Sequence, residues 1–528
     1  MEKEQLTEAA VLSKNKKLFW MCFLALVATA FSFAARGMVI ADIQVEFGLS
    51  ETQKGWLLGA GMWPFAIGIV GFSLIIDKIG YKTALTFAFA CHTISTLMIV
   101  LGQNFWWLFF GTLLVAIGNG TTEAAINPAV ATLFPRNKTK WLNFLHAGWA
   151  GGILLGAVIA LSMKSTGIIG RLFPNDIPWR WVVGMMLVPT CIYGAMLIKA
   201  KFPASERVLA GVSYRDMLRE LGIIGFFVVI LLITKEIMNI FANLGWAFVG
   251  WNDWSMLGVA LLITIGVLIP LGFYLKSWGR GLFIVLILLM FPLATTELAT
   301  DAWIKELMTP VMERNFHIDG GWVLVYSALI MMILRFNTGP IVKRIGPVGI
   351  LVASALCAAI GLFFIGNVTG LWIILAATFY AVGQTFFWPT TLGIVADRFP
   401  KGGALTLNSI TAIGMLGVGI LGTPLLGLLQ DNHIDEQLYK QNQPVHEQVI
   451  TMEKQSIYGI YKALDPIKLD DLEEQDRSLI TTIREDAKRH ALTVIAVVPF
   501  FMAICYFILL LYFRKKGGYK AVLLRPNE

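Results

Sequence analysis

The chain repeats itself at half its length. The sequence AIGNGTTEAAINPAVATLFP at residues 116–135 returns 265 positions later as AVGQTFFWPTTLGIVADRFP at residues 381–400. The frame then holds, since Leu142-Asn143 corresponds to Leu407-Asn408. Each copy consists mainly of long apolar segments, so the duplication predicts two similar helical bundles that stand side by side and enclose a central pathway.

Composition places the chain in a lipid bilayer. Hydrophobic residues make up 57% of the 528 residues and charged residues only 14%, whereas a soluble domain has about 45–50% apolar and about 25% charged residues. The formal net charge of +8 comes from short Lys/Arg clusters between apolar segments. Such clusters are typical of cytoplasmic anchors, so no nucleic-acid partner is expected. Residues 1–17 are expected to form a polar lead-in rather than a signal peptide, because no small-residue cleavage site follows the first apolar run.

Fourteen apolar segments are long enough to cross the hydrocarbon layer as helices, which takes about 20 residues. The expected spans are 18–40, 55–76, 82–102, 105–133, 140–163, 179–199, 221–241, 255–275, 281–303, 320–341, 347–366, 369–396, 403–429 and 490–513. The seventh and eighth spans lie outside the repeat. The sequence therefore predicts an all-α polytopic membrane protein with an N-terminal six-helix bundle (18–201), a cytoplasmic linker with an inserted transmembrane hairpin (202–280) and a C-terminal six-helix bundle (281–515).

The Lys/Arg clusters predict the orientation. All of them fall on the side of the two termini, which the positive-inside rule makes cytoplasmic. The cell (inner) membrane is the expected location. Residues 431–489 form the one long polar segment, an insertion between the last two helices that falls on the extracytoplasmic side and has helical spacing in part. Both a partially folded lid and a tolerated insertion fit this pattern.

Several kinds of chemistry have no motif in the chain. The five cysteines stand isolated in apolar stretches, which predicts no disulfide framework and no metal site. The sequence contains no Gly-x-x-x-x-Gly-Lys-Ser/Thr phosphate loop. The 431–489 loop has no nucleophile–base pattern, and His433 and His446 stand alone there. We therefore expect no enzyme activity and no cofactor, with energy drawn from an ion or solute gradient.

Two loops carry a family resemblance. They are Ser73-x-x-x-Asp77-Lys78-x-Gly80 and, at a shift of 266, Gly339-x-x-x-Lys343-Arg344-x-Gly346. The chain thereby resembles the major facilitator superfamily (MFS), in which this loop braces the cytoplasmic gate by charge pairing between the halves. The resemblance implies gating roles for Asp77, Lys78, Lys343 and Arg344. The chain departs from the family pattern at Ser73, where Gly is usual, and at Lys343, where the second copy often has Asp.

A second resemblance concerns the fourth and fifth spans. Gly118-x-Gly120-x-x-Glu123-x-x-x-Asn127-Pro128, followed by Leu142-Asn143-x-Leu145-His146, is similar to the fucose/hexose–proton symporter branch of that superfamily. In that branch the fourth-helix Glu and residues of the fifth helix lie near sugar and proton. The branch's first-helix Asp has no counterpart, because this chain has Arg36 within the helix and Asp42 only at its end.

Ionisable residues within the spans are the other candidates. Such groups are costly in a membrane unless paired or hydrated, so they usually face a cavity and often mark function. Glu123 fits either an interhelical hydrogen bond or a carboxylate that carries a proton. Arg36 and Asp301 are 265 positions apart and should face each other, either as a direct pair or with Arg36 on substrate and Asp301 exchanging a proton. Glu297 lies one turn before Asp301 on the same helix face.

Three further side chains complete the predicted site. His146 shares a helix face with Asn143 and is either a hydrogen-bonded core residue or a ligand. Arg335 stands four residues before Gly339, the spacing of an anion-binding Arg in nitrate-type members of the superfamily. Trp388 on the span 369–396 is expected opposite Glu123, where an indole face suits the C–H surface of a sugar.

The prediction is a secondary active transporter that moves a small polar solute, with a sugar or related compound as the leading class, by proton-coupled alternating access. The expected partners are that solute, a coupling ion and the bilayer, and the protein is expected to be a monomer. The expected proton-coupling residues are Glu123, Glu297 and Asp301. The expected substrate-binding residues are Arg36, Asn127, Asn143, His146, Trp388 and Arg335. An organic-anion transporter using Arg36 and Arg335, and a non-transporting membrane receptor, remain as alternatives.

Overall fold

In the computed structural model, apolar runs that are separated by glycine, proline and basic residues fold into long helices. The structure describes residues 2–164, 167, 169–172, 178–243, 253–469 and 472–524. The helices of the first half are α1 (Glu2–Phe47), α2 (Glu51–Ala60), α3 (Trp63–Ile79), α4 (Tyr81–Val100), α5 (Phe105–Leu133), α6 (Lys138–Met163), α7 (Trp179–Gly184) and α8 (Leu187–Ile198). Between the halves lie α9 (Glu206–Leu209), α10 (Tyr214–Asn243) and α11 (Asp253–Leu275).

The second half is more often interrupted. Its membrane helices are α12 (Gly281–Ala294), α13 (Thr300–Phe316), α14 (Trp322–Phe336), α15 (Thr338–Asn367), α16 (Trp372–Gln384), α17 (Phe387–Arg398) and α18 (Gly403–Gly417), and then α19 (Thr423–Gln441), α21 (Glu474–Ile495) and α22 (Val497–Lys515). Two π-helical turns, Thr295–Ala299 and Val418–Gly422, join α12 to α13 and α18 to α19. Gly346, with a φ of 70°, breaks α15, so its first two turns continue the α14 span.

The predicted all-α polytopic architecture is confirmed, while the count of fourteen spans is approximate. Within the described residues, twelve helices are long and apolar enough to cross a membrane. The two remaining predicted spans are built from shorter pieces. The span 320–341 contains the 15-residue helix α14, and the span 369–396 is divided between α16 and α17 by a turn.

Helix packing produces two bundles with an interface between them. In the first half α1 packs on α6, and α5 packs on α3 and α4; in the second half α15 packs on α16 and α22. The contact with the other bundle is made mainly by α3 and α5, against α18, and by α6, against α14 and α17. Small residues allow the closest approaches, since a side chain at Gly120 of α5 would collide with the Phe65 carbonyl oxygen of α3.

The polar insertion is folded. Helices α19 and α21 run past the membrane region and are joined by α20 (Gln443–Val449) and a hairpin of two antiparallel strands, β1 (Met452–Ser456) and β2 (Gly459–Ala463). A separate apolar core holds these pieces together; its buried members are Ile434, Leu438, Val445, Val449, Ile450, Leu472, Ile480, Ile483 and Ala487. The insertion is therefore a small subdomain on the side opposite the termini, and the helical pattern predicted for part of it is present.

Candidate substrate and proton site

A narrow pocket lies between the two halves. The first half contributes Glu123, His146 and Trp149, and the second half contributes Glu297, Leu298, Arg335, Trp388 and Met415. The cavity volume of the pocket is about 30 Å³, which is room for about two water molecules. A solute can therefore enter only after side chains or whole helices move apart.

The first-half wall is a short chain of hydrogen bonds. Glu123 lies in the middle of α5 and is only 3% exposed. Asn127 follows one turn later and donates its Nδ2 to Glu123 Oε2 at 3.2 Å. The Oδ1 of the same amide lies 3.1 Å from His146 Nε2 on α6. In this arrangement the imidazole carries its proton on Nε2, because the amide oxygen can only accept.

The second-half wall is built around a buried arginine. Arg335 of α14 is 1% exposed, and its guanidinium reaches three acceptors: the Thr385 carbonyl oxygen at 2.8 Å, the His146 carbonyl oxygen at 2.9 Å and Glu297 Oε1 at 3.4 Å. Glu297 belongs to the first π-helical turn, a type of irregularity that often occurs at functional sites. Its other oxygen, Oε2, is buried without a hydrogen-bond partner in the described part of the chain.

These contacts connect two carboxylates on opposite walls of the pocket. The path runs from Glu123 through Asn127 and His146 to Arg335 and Glu297, and it crosses between the halves at the bond from Arg335 to the His146 carbonyl. Glu297 has a cationic neighbour, whereas the side chain of Glu123 has only the Asn127 amide among the described residues. The two acids therefore lie in chemically unequal surroundings.

Six of the predicted site residues thus meet at the pocket or in its hydrogen-bonded wall, and Glu297 is one of them. The other five are Glu123, Asn127, His146, Arg335 and Trp388.

Arg36 and Asp301 are not paired, although the repeat allowed it. Asp301 Oδ1 accepts a hydrogen bond from Gln384 Nε2 at 3.2 Å. Arg36 Nε donates to the Ser32 carbonyl oxygen at 3.0 Å, and the guanidinium lies in a different cavity within the first half. The break between α2 and α3 at Gly61 leaves room for it, since a Cβ there would lie 2.9 Å from Arg36 Nη1.

Asn143 lies outside the pocket lining. Its Nδ2 donates to the Thr139 carbonyl oxygen at 2.9 Å and to Thr390 Oγ1 of the second half at 3.3 Å. This position makes Asn143 a contact between the bundles on the side of the termini, where sequence reasoning had expected a substrate contact.

Of the predicted gate residues, Asp77 and Lys78 contact the linker between the halves, whereas Lys343 and Arg344 are exposed. Asp77 receives hydrogen bonds from Arg207 Nη2 and Ser205 Oγ, both at 2.6 Å, so its charge partner lies in the linker helix α9. Lys78 lies over the Tyr214 ring, 5.9 Å from its centroid.

Sequence reasoning missed the main contacts that close the side of the termini. Lys138, the first residue of α6, is 1% exposed; its Nζ donates to Glu206 Oε2 at 2.6 Å and to the Ala396 carbonyl oxygen at 3.1 Å. Beside it, Thr139 Oγ1 donates to Asp397 Oδ2 at 2.9 Å. One signal was available, because Asp397 stands where the first copy of the repeat has Thr132.

A second missed feature is a buried polar network inside the first half. His92 of α4 lies 3.0 Å from both Tyr193 Oη and Asn119 Oδ1. Asn119 in turn donates to Ser32 Oγ at 3.1 Å. The network joins α1, α4, α5 and α8, so it fixes the bundle beside the pocket. In the described ranges, no group of three or more His, Cys, Asp or Glu residues could hold a metal ion.

Comparisons with known proteins agree with this fold. The family described as Major Facilitator Superfamily matches residues 21–304. The proton:xylose symporter XylE of E. coli superposes with a TM-score of 0.60 at 14% identity, covering 94% of this chain and 96% of XylE. FucP, the fucose:proton symporter of E. coli, superposes in its outward conformation with a TM-score of 0.56 at 14% identity, covering 93% and 99%.

Sequence relatives match only in part. The probable 4-methylmuconolactone transporter of Cupriavidus pinatubonensis is 23% identical over 181 residues, which is 34% of this chain and 41% of that protein. The matched stretch thus spans about two fifths of the relative's length.

Proposed function

Because the chain belongs to the Major Facilitator Superfamily of transporters, we propose that it moves a small polar solute across the membrane by proton-coupled alternating access, with a sugar or related compound as the solute. The observation that carries the proposal is the pair of unequal carboxylates at the pocket. Glu123 has an amide partner and Glu297 has an arginine partner. Glu123 is the proton site, since binding a proton there removes a buried charge that no cation compensates.

The pocket chemistry suits a hydroxylated solute. Trp149 and Trp388 present indole rings from opposite halves, and Glu123 and His146 supply groups that can accept and donate hydrogen bonds. Apolar faces with a few polar groups between them are the usual recognition of a ring that carries hydroxyls. The names of XylE and FucP, a xylose and a fucose symporter with proton coupling, support the same class.

The contacts between the halves support the proposal of alternating access. The side of the termini is closed by buried bonds between the halves, such as those from Lys138 Nζ to the Ala396 carbonyl oxygen and from Thr139 Oγ1 to Asp397 Oδ2. The opposite side has the pair Lys164–Asp319 at 2.8 Å, whose side chains are 40% and 38% exposed. Exposed pairs contribute little stability, so opening toward that side costs less from this conformation. By the positive-inside rule, both termini and the Lys/Arg-rich side face the cytoplasm, with the protein in the cell membrane.

Asp301 and Arg335 have further roles in this mechanism, as a second proton-exchanging carboxylate and as the ion-pair partner of Glu297. Arg335 keeps Glu297 paired and holds the two halves together through the His146 carbonyl. Asp301, hydrogen-bonded to Gln384, is the second carboxylate that can exchange a proton on the path to the opposite side. Asn127 holds Glu123 and His146 in register, so it senses whether the carboxylate is charged.

The alternative of an organic-anion transporter requires Arg36 and Arg335 to share one binding site, and they do not. Arg36 and Arg335 line different cavities, and the Arg335 side chain already has three acceptors. One anion cannot bridge the two arginines in this conformation.

The test begins with a thermal-shift screen of sugars, carboxylates and nucleosides on the purified full-length protein. The solute that stabilises it is then used in proteoliposomes with wild type, Glu123→Gln and the exposed control Glu313→Gln. We expect Glu123→Gln to retain solute counterflow and to lose accumulation driven by a proton gradient, while Glu313→Gln behaves as wild type. Normal accumulation by Glu123→Gln would refute the coupling role.

A further inference from the structure

A second cavity lies within the first half, apart from the pocket between the bundles. It encloses about 180 Å³ and is lined almost entirely by apolar side chains. They come from α1, α2, α4, α5 and the link between α2 and α3, and include Phe33, Ile40, Leu57, Met62, Ile99 and Leu108. An apolar cavity of about 150 Å³ in another protein is large enough to bind benzene, so this one has room for a single six-membered ring.

The one charged group that lines this cavity is Arg36. Its Nε donates to the Ser32 carbonyl oxygen at 3.0 Å, and its guanidinium carbon lies 5.5 Å from the centroid of the Phe33 ring. In the described part of the chain no carboxylate forms an ion pair with it. A guanidinium has five N–H donors, so most of them remain for a ligand.

The Arg36 guanidinium in this apolar cavity favours an anionic ligand. A cation within a membrane segment is costly unless paired or hydrated, and the surrounding cavity wall offers aliphatic and aromatic carbon. The complementary ligand therefore has a carboxylate at one end, which a guanidinium binds with two parallel hydrogen bonds, and an apolar ring at the other.

We propose that the Arg36 cavity is a binding site for a small monocarboxylate with one apolar ring, such as benzoate. The site goes beyond the proposed function, because it binds its ligand whether or not Glu123 couples proton movement to transport. Phe33 links it to the central pocket, since its ring centroid lies 5.5 Å from that of Trp149, which lines the pocket. A ligand in the Arg36 cavity thus rests one aromatic ring away from the transport pathway.

The experiment measures equilibrium binding of radiolabelled benzoate to the full-length protein in nanodiscs of phosphatidylcholine. Wild type should show saturable binding at one site. Arg36→Gln should weaken it about tenfold or more, because a charge-assisted pair is replaced by neutral hydrogen bonds. Gly37→Leu keeps the arginine but fills the cavity, since a Cβ there meets open space, and it should weaken binding to a similar degree.

Two controls and one competitor define the site. The exposed variant Arg314→Gln and the central-pocket variant Glu123→Gln should bind benzoate as wild type does, and benzyl alcohol should compete at least tenfold less well than benzoate.

The proposal is overturned if wild type binds no benzoate, or if binding survives both Arg36→Gln and Gly37→Leu. It is also overturned if Glu123→Gln abolishes binding, which would place benzoate in the central pocket. Loss of binding in nanodiscs that contain phosphatidylglycerol would show that an anionic lipid occupies the cavity instead.

Discussion

Asn143 of α6 and Asn408 of α18 occupy equivalent positions of the repeat, and each donates its side-chain amide across the interface between the halves. Asn143 Nδ2 reaches Thr390 Oγ1 at 3.3 Å. Asn408 Nδ2 reaches Ser73 Oγ at 2.8 Å and the Ala124 carbonyl oxygen at 3.1 Å. The duplication has therefore kept a matched pair of contacts that hold the bundles together near the side of the termini. Ser73, where the family usually has Gly, supplies one of the acceptors.

Removing either amide should loosen this closure. Each net hydrogen bond contributes about 0.5–1.5 kcal/mol, so Asn143→Ala and Asn408→Ala should each raise the population open to the side of the termini by about 2- to 12-fold. Alkylation of a cysteine placed at Ala404, a buried residue next to Lys138 and Glu206, reports that opening in a variant whose five native cysteines are replaced.

The matched control for this measurement is Asn337→Ala. Asn337 is exposed and donates only within its own half, to the Ile333 carbonyl oxygen at 2.8 Å. Its substitution should leave the alkylation rate unchanged. Equal rates for wild type and both interface variants would show that these asparagines do not stabilise the closed side.

The Lys138–Glu206 pair should respond unequally to removal of its two members. Lys138 is 1% exposed and Glu206 is 19% exposed. Glu206→Gln leaves a buried ammonium without its carboxylate, a change that costs about 3–5 kcal/mol in such pairs. Lys138→Met should cost less, because the remaining carboxylate reaches water, and the double variant Lys138→Met/Glu206→Gln should recover most of the loss.

Thermal unfolding of the purified variants measures this order. The exposed pair Lys440–Glu436, with side chains 59% and 61% exposed, gives the control: its neutral variants should unfold at the wild-type temperature. A lower unfolding temperature for Lys138→Met than for Glu206→Gln would contradict this account, because the deeper burial of Lys138 would then not determine which variant loses more stability.

Gly414 sets the position of the Trp388 ring in the central pocket. A Cβ at Gly414 would lie 2.7 Å from Trp388 Cη2, which is too close for carbon atoms, so Gly414→Ala should push the indole into a pocket that already has little free space. We expect KM for the solute found by the screen to rise several-fold in proteoliposome uptake. Gly419→Ala is the matched control, because a Cβ there meets open space. An unchanged KM for Gly414→Ala would remove Trp388 from the substrate site.

The sequence predicted several residues of the central pocket because the two copies of the repeat differ there. Glu123 stands opposite Trp388 in the alignment of the halves, and His146 corresponds to Thr411; Glu123, Trp388 and His146 all line the pocket. The closing contacts were harder to find. The bond from Lys138 to the Ala396 carbonyl joins residues 258 positions apart, and no local pattern reports such a pairing. Lys138 also lies in a basic cluster, which by itself indicates only a membrane anchor.

Arg36 shows why a repeat cannot place a side chain. Its equivalence to Asp301 is correct along the chain, but the guanidinium extends toward the gap at Gly61 and not across the interface. The direction of a long side chain depends on which neighbours leave room for it, and that information appears only once the helices are packed.

The folded insertion gives the last prediction. Leu438 of α19 is fully buried in the core of the subdomain, and Ile467 of the same subdomain is 80% exposed. Leu438→Ala should destabilise this small core by about 2–5 kcal/mol and so speed proteolytic cleavage between residues 442 and 473, whereas Ile467→Ala should not.

Solute uptake by Leu438→Ala should match wild type if the subdomain is a tolerated insertion, because its core is separate from that of the bundles. A loss of uptake at equal protein level would instead make the subdomain a lid whose fold the transport cycle needs.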